Sequence, residues 1–436
     1  MRPSANELSA EIFRAALKSV DPYTLVISYA DQVRNIFFTG GYKRLVVIGF
    51  GKASCPMAKG IELSLADQID GGIVITKYGH CTVPTLPEKI SVFEAGHPLP
   101  DANGIKGASQ IIRLLEDADA ETLIACLISG GGSALLVSPA EGLNLNEKQL
   151  TTDLLLRAGA DINELNTVRK HLSKVKGGRL AEIAYPAKVV SMILSDVLGD
   201  RLDVIASGPT APDNSTFSEA LHVLEKYELI DRIPSAVLEH LLKGKRGTIG
   251  ETPKKDNPVL HQVENVIIGG NKTALEAAKT KAESLGCRAE ITYSGLTGEA
   301  GITAGKLAAE ALERKKTKNF PEPLCLISGG ETTVTVKGSG TGGRNMELAL
   351  VFALHIEDIS GITLLSAGTD GTDGPTDAAG AIVDGNTIVH ARSLDLAPEE
   401  YLENNDSYNF FKRADGLFIT GPTGTNVMDI QVTIIE

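Results

Sequence analysis

The stretch RLVVIGFGKASCPMAKG, Arg44 to Gly60, decides how this chain is read. Leu45 to Ile48 form an apolar, β-branched run, GFG follows, and helix-forming residues come after it. The pattern is a strand, a glycine turn and a helix. Glycines at such a turn let backbone approach an anion, and the helix start offers unpaired N–H groups. Lys52 stands at that start, where a cation is unfavourable by roughly 0.3–1 kcal/mol unless a negative group lies between it and the helix. Gly51 and Lys52 are therefore candidates for holding an anion.

The same pattern recurs outward from this stretch. Gly72 to Thr76, Thr122 to Ile128 and Ala187 to Leu194 are further apolar runs, the last two ending in SGGG and SDVLGD. Short apolar runs alternating with helical periods predict an α/β protein with a mostly parallel sheet and ligands beyond the carboxyl ends of its strands. The polar segment LLKGKRGTIGETPKKDNP, Leu241 to Pro258, is the best inter-domain linker. It predicts domains over residues 1–255 and 256–436. Beyond it, VENVIIGGNKTALEAA reads as strand, turn and helix. PLCLISGGETTVTV reads as strand, tight turn and strand, and GITLLSAGTDGTDG as a strand with an acidic loop. CLISGG occurs twice, at Cys126 to Gly131 and Cys325 to Gly330, through duplication or through convergence on the same turn chemistry.

Composition narrows the function. Of 436 residues, 42% are hydrophobic and 22% charged, as in globular proteins. The net charge of −13 argues against a nucleic-acid binder. It also means that any anion site must concentrate positive charge locally. The five cysteines form no C-x-x-C pair, so free buried thiols in a reducing cytoplasm are expected. The first twenty residues form an amphipathic helix pattern, not a secretion signal. No apolar run reaches the length of about 18 residues that a membrane span needs.

Four further groups can carry chemistry. Ser129, Gly130, Gly131, Gly132 and Ser133 form a loop of exposed amides between a buried strand and an apolar helix, suited to phosphate or carboxylate. The loop lacks the ending of a P-loop and the spacing of a serine hydrolase. NTVRKHLSKVKGGRLAE places Arg169, Lys170, Lys174, Lys176 and Arg179 within a short acid-free stretch, although on a helix Arg169 and Lys170 project from different faces, so not all five can reach one ligand. Gly342 and Gly343 precede Arg344 at a second helix start, and arginine grips phosphate or carboxylate at two points. Acids stand in glycine-rich loops: Asp196 and Asp200, then Asp370, Asp373 and Asp377. They are candidates for magnesium or for accepting a proton from an attacking hydroxyl. His97 reads as a packing residue. A dinucleotide fingerprint fails twice, with Ser54 in place of the third glycine and Lys77, not an acid, after the second strand.

Taken together and in order, GFGKAS, GHPLPD, LISGGGSALL, LNTVRKHLSKVKGGRLA, LSDVLGD, ASGPT, ISGGETTVTVKG, GTGGRNMELAL and SAGTDGTDGPTDAAGA resemble the glycerate 2-kinase family, the class with DUF4147 and MOFRL domains. The resemblance runs from about Arg44 to about Ile430. It implies a Rossmann-like N-terminal domain, a smaller α/β C-terminal domain and an active site in the cleft between them. It also implies ATP, magnesium and D-glycerate as ligands, 2-phosphoglycerate as product, and Lys52 and Arg344 as essential residues. On this reading Lys52 and Arg344 flank the migrating phosphoryl group. Asp370 and Asp373 serve the metal, and Asp196 orients or deprotonates the 2-hydroxyl. The Ser129–Ser133 amides, Arg169 and Lys176 hold anionic groups, with Gly51, Gly342 and Gly343 beside them. An NAD(P)-dependent hydroxypyruvate reductase is the rival, against which the failed fingerprint counts. No nucleic-acid or membrane partner is expected, and a homodimer is left open.

Overall fold

The computed structural model describes residues 3–81 and 83–436. Contacts divide the chain into two compact units, Pro22–Ile268 and the remainder, which joins the residues up to Asp21 to Gly269–Glu436.

The first unit is built on β1 (Arg44–Phe50), β2 (Ile69–Lys77), β3 (Ile90–Ala95), β4 (Thr122–Ile128), β5 (Lys188–Leu194) and β6 (Val263–Gly269). Their order is β3-β2-β1-β4-β5-β6, and successive pairs from β3 to β5 are parallel. Every residue of β4 is buried, as expected of a parallel strand covered on both faces. Val46, Ile48, Phe50, Ile124, Cys126 and Ile128 lie in the resulting core. The chain leaves β1 and β4 in opposite directions across the sheet, so the gap between their carboxyl ends is the topological switch point of a doubly wound fold. Beside the sheet, helices Leu145–Arg157, Ile162–His171, Phe217–Lys226 and Ser235–Lys245 pack around Leu155, Val168, Phe217 and Leu241.

The second unit holds β7 (Arg288–Leu296), β8 (Leu324–Gly330), β9 (Ile362–Gly368), β10 (Gly380–Asp384), β11 (Leu417–Phe418) and β12 (Asp429–Ile435). The order is β11-β10-β9-β12-β8-β7, with only β7 and β8 parallel. Helix Ala5–Ser19 belongs to this unit. Ser4 and Glu7 close a capping box at its start. Its apolar face buries Leu8, Ile12 and Phe13, with Phe13 edge-on to Phe418 at 5.4 Å between centroids.

Several expectations change. The units do not part at 255/256: β6 completes the first sheet, and the first helix crosses over to the second unit. ETTVTV is not a strand, because after β8 only Thr333 makes a bridge, to Glu299. The two CLISGG strands have different settings, β4 between parallel neighbours and β8 beside antiparallel β12, which favours convergence. The helix after SGGG is a single turn, Gly132–Leu135. Cys55 and Cys81 are joined as a disulfide, with Cα atoms 5.3 Å apart, leaving Cys126, Cys287 and Cys325 free.

Candidate active site

At the switch point, the β1 and β4 loops are laced together. Lys52 N–H donates to Gly130 O at 2.8 Å, and Ala53 N–H to Ser129 Oγ at 3.0 Å. Gly51, at φ +131°, lies so close to Ser129 that no side chain could stand between them. Gly131 is left-handed, and a Cβ there would lie 3.0 Å from His97 Cδ2 and 3.3 Å from Lys52 Cγ. A Cβ on Gly130 would collide with the Asp196 carboxylate at the end of β5. Lys52, His97, Asp196 and the glycine loop thus gather at the carboxyl ends of the central strands. Burial, then the charge of Lys52, lowers the His97 pKa from its ordinary value to about 4, so the imidazole is neutral at pH 7. The sequence reading set His97 aside; its place against Gly131 brings it into the site.

The basic stretch separates by function. Arg169 Nη2 donates to Ser133 Oγ at 2.6 Å, and Lys176 Nζ donates to Ser133 O and Oγ at 2.7 and 3.1 Å. Lys170 instead forms a buried ion pair with Asp213 at 3.1 Å, and Arg179 donates to Gly250 O. A cation missed in the sequence joins the first two. Lys148, on helix Leu145–Arg157, is 5% exposed, and its Nζ has no hydrogen-bond partner among the described residues. Burial, then Arg169, lowers its pKa to about 7. Burial likewise pushes Lys176 well down, with Lys148 and Arg169 adding to the effect. Its signal was helical spacing: Lys148, Thr151 and Leu155 form one buried stripe.

In the second unit Arg344 opens helix Arg344–His355, as expected, but as a paired cation. Its Nε and Nη2 donate to Asp429 at 2.6 and 2.9 Å, and its Nη1 to Glu331 at 2.7 Å. Burial works against the guanidinium charge, but Asp429 outweighs it and raises the pKa. Asp429 is 1% exposed while Glu331 is half exposed, so one partner is fixed and the other exchangeable. The glycines before Arg344 are not an open cradle. The amides of Gly338, Ser339 and Thr341 donate to Asn405, Asn404 and Asp406. Gly342 packs on Ser407 and Gly343 on Asp373.

The expected metal pair also changes. Asp373 is buried and accepts from the amides of Asn345 and Met346 at 3.1 and 2.8 Å, so it caps the Arg344 helix and is not an open ligand. Burial raises its pKa to about 6. Asp370 Oδ1 accepts from Thr372 N and Oγ1, and Asp370 keeps part of its surface exposed. No group of three His, Cys, Asp or Glu able to hold a metal occurs among the described residues. Magnesium does not require one, since it keeps waters and substrate phosphates as ligands beside one or two carboxylates.

Fold and site define a doubly wound α/β protein with a glycine loop as candidate anion site at its switch point, followed by a mixed-sheet unit. A family described as a domain of unknown function, DUF4147, matches residues 8–242, and the MOFRL family matches residues 324–429. The D-glycerate 2-kinase of Thermotoga maritima is 45% identical over 99% of both chains, and the glycerate 2-kinase of Pyrococcus horikoshii is 42% identical over 98% and 97%. A crystal structure of the Thermotoga maritima glycerate kinase superposes with a TM-score of 0.89 over 99% of both chains. The chain belongs to the glycerate 2-kinase family.

Proposed function

We propose that this protein is a glycerate 2-kinase, transferring the terminal phosphoryl group of ATP to the 2-hydroxyl of D-glycerate. The observation that carries the reading is the gathering of Lys52, Asp196 and the bare Ser129–Gly132 loop at the switch point, in a chain of this family. Phosphoryl transfer needs alignment and neutralisation of charge more than covalent help. Lys52 offsets charge on the migrating group, and the Gly130 and Gly131 amides orient it, Gly132 N–H being turned to Ser129 O at 3.3 Å. Asp196 receives the hydroxyl proton, because its carboxylate, at the end of β5, stands against Gly130 and is partly exposed. Arg344 is assigned to a phosphate oxygen, with Glu331 yielding Nη1 while Asp429 holds the rest of the guanidinium. Magnesium neutralises phosphate charge when bound, and Asp370 would be its carboxylate, Asp373 being engaged as a cap.

The rival reading, an NAD(P)-dependent hydroxypyruvate reductase, finds no support in the site: Ser54 replaces the third glycine and Lys77 ends β2. A cytoplasmic location, where ATP is at hand, accompanies the kinase reading. Among the described residues no helix is long and apolar enough to cross a membrane. The test is to incubate the purified chain with ATP, magnesium and D-glycerate and to follow products by phosphorus NMR. The 2-phosphoglycerate signal should appear, and Lys52→Ala should reduce it at least a hundredfold without loss of fold. NAD(P)H oxidation without ATP, or a 3-phosphoglycerate signal alone, would refute the assignment.

A further inference from the structure

We propose that Lys148, Arg169 and Lys176 form, around Ser133, the pocket that grips the carboxylate of the hydroxy-acid substrate. The inference rests on the kinase reading above and deepens it by separating the acid's subsite from that of the phosphates.

Unpaired buried ammonium groups are costly and are kept where something binds them. This protein displays the contrast within one unit. Lys170 is buried and neutralised by Asp213, whereas Lys148 is buried and unpartnered among the described residues. Arg169 and Lys176 both donate to Ser133, which is neutral, so the three cations meet without a carboxylate between them. The acid on the wall of the neighbouring cavity, Asp153, pairs with Arg157 at 2.8 Å and is half exposed. That cavity has a volume of about 340 Å³ and is lined by Lys148, Arg169, Ser133 and apolar Leu99, Val137 and Leu156. Its size suits a small acid with several waters, each water taking roughly 30 Å³. The only carboxylate on its wall among the described residues, Asp153, is already paired with Arg157, which makes the cavity a poor seat for the hydrated magnesium that a triphosphate carries. Ser133 directly follows the glycine loop, so a carboxylate held here lies next to that loop. The pKa of Lys148, lowered to about 7, fits a group that becomes fully charged when an anion arrives.

The test is Lys148→Met, with Lys148→Arg as the conservative control, in the full chain. For Lys148→Met the KM for D-glycerate should rise at least tenfold, with the KM for ATP and the saturated turnover changed less than threefold. Lys148→Arg should recover part of the loss. Calorimetric titration of D-glycerate without nucleotide gives a readout independent of turnover, and binding to Lys148→Met should be lost. A rise in the KM for ATP with that for glycerate unchanged would make this a phosphate site and overturn the proposal. Unchanged glycerate binding in Lys148→Met would overturn it as well. If the wild type binds D-glycerate in calorimetry, Lys148→Met does not, and neither makes phosphorylated product, the kinase reading fails and the carboxylate pocket stands.

Discussion

Removing Arg344 would strand Asp429, a carboxylate 1% exposed that bonds two nitrogens of the guanidinium. Breaking a buried pair from one side typically costs about 3–5 kcal/mol. We therefore expect Arg344→Ala to lose stability and turnover together, so that its low activity alone says nothing of chemistry. Arg344→Ala with Asp429→Asn should recover most of the stability and none of the turnover, as denaturant unfolding and steady-state rates will show. Lys148 makes the opposite prediction. Its folded pKa is about 7, against an ordinary 10.5, so the unfolded chain binds more protons between these values. Stability of the unliganded protein should then rise with pH across that window. Lys148→Met should be more stable than the wild type at pH 7, and the gap should close toward pH 10. Denaturant midpoints at pH 7, 8, 9 and 10 check this, and a constant gap would contradict it.

At the scale of elements, what could be read early was local. Strand, turn and helix at Arg44–Gly60 follow from hydrophobic period and glycine placement, and β1 with helix Ser54–Leu65 is what forms. The Ser129–Ser133 loop, Arg169 and Lys176 were legible for the same reason: the bare loop ends a buried strand, and the basic stretch stands out in an acidic chain. What could not be read depends on distant partners. The glycine run before Arg344 looks mobile in sequence, but Asn404, Asn405 and Asp406, more than sixty residues away, take its amides. The strand pattern of β6 is plain, yet nothing local says which sheet it joins. Cysteine pairing is of the same kind, because Cys55 and Cys81 are brought together by helix Ser54–Leu65 and the segment after β2. The bond closes a 26-residue separation, which the chain-entropy account values at roughly 3.5 kcal/mol. Thiol titration of the denatured, unreduced protein should count three free thiols, rising to five after reduction. Five before reduction would restore the free-thiol expectation.

For the whole molecule, the division into units is also a division of independence. Pro22–Ile268 contains its entire parallel core, Lys52 and the Lys148, Arg169 and Lys176 cluster. Expressed alone, this segment should be monomeric and melt cooperatively in circular dichroism. Gly269–Glu436 lacks helix Ala5–Ser19, whose buried Leu8, Ile12 and Phe13 belong to the second unit's interior. Alone it should aggregate, and adding residues 1–21 to its N-terminus through a flexible linker should restore solubility. The mixed sheet has one more consequence. Its middle is closed by β12, which enters between β9 and β8. On the ribosome, the second unit therefore waits with its first helix made early and its central strand made late. Throughout that interval the edges of β8 and β9 stay open to other chains. Quality control during translation should bear most heavily on this late half, and a nascent chain stalled before β12 should be a substrate for chaperones even though its parallel-sheet unit is already complete.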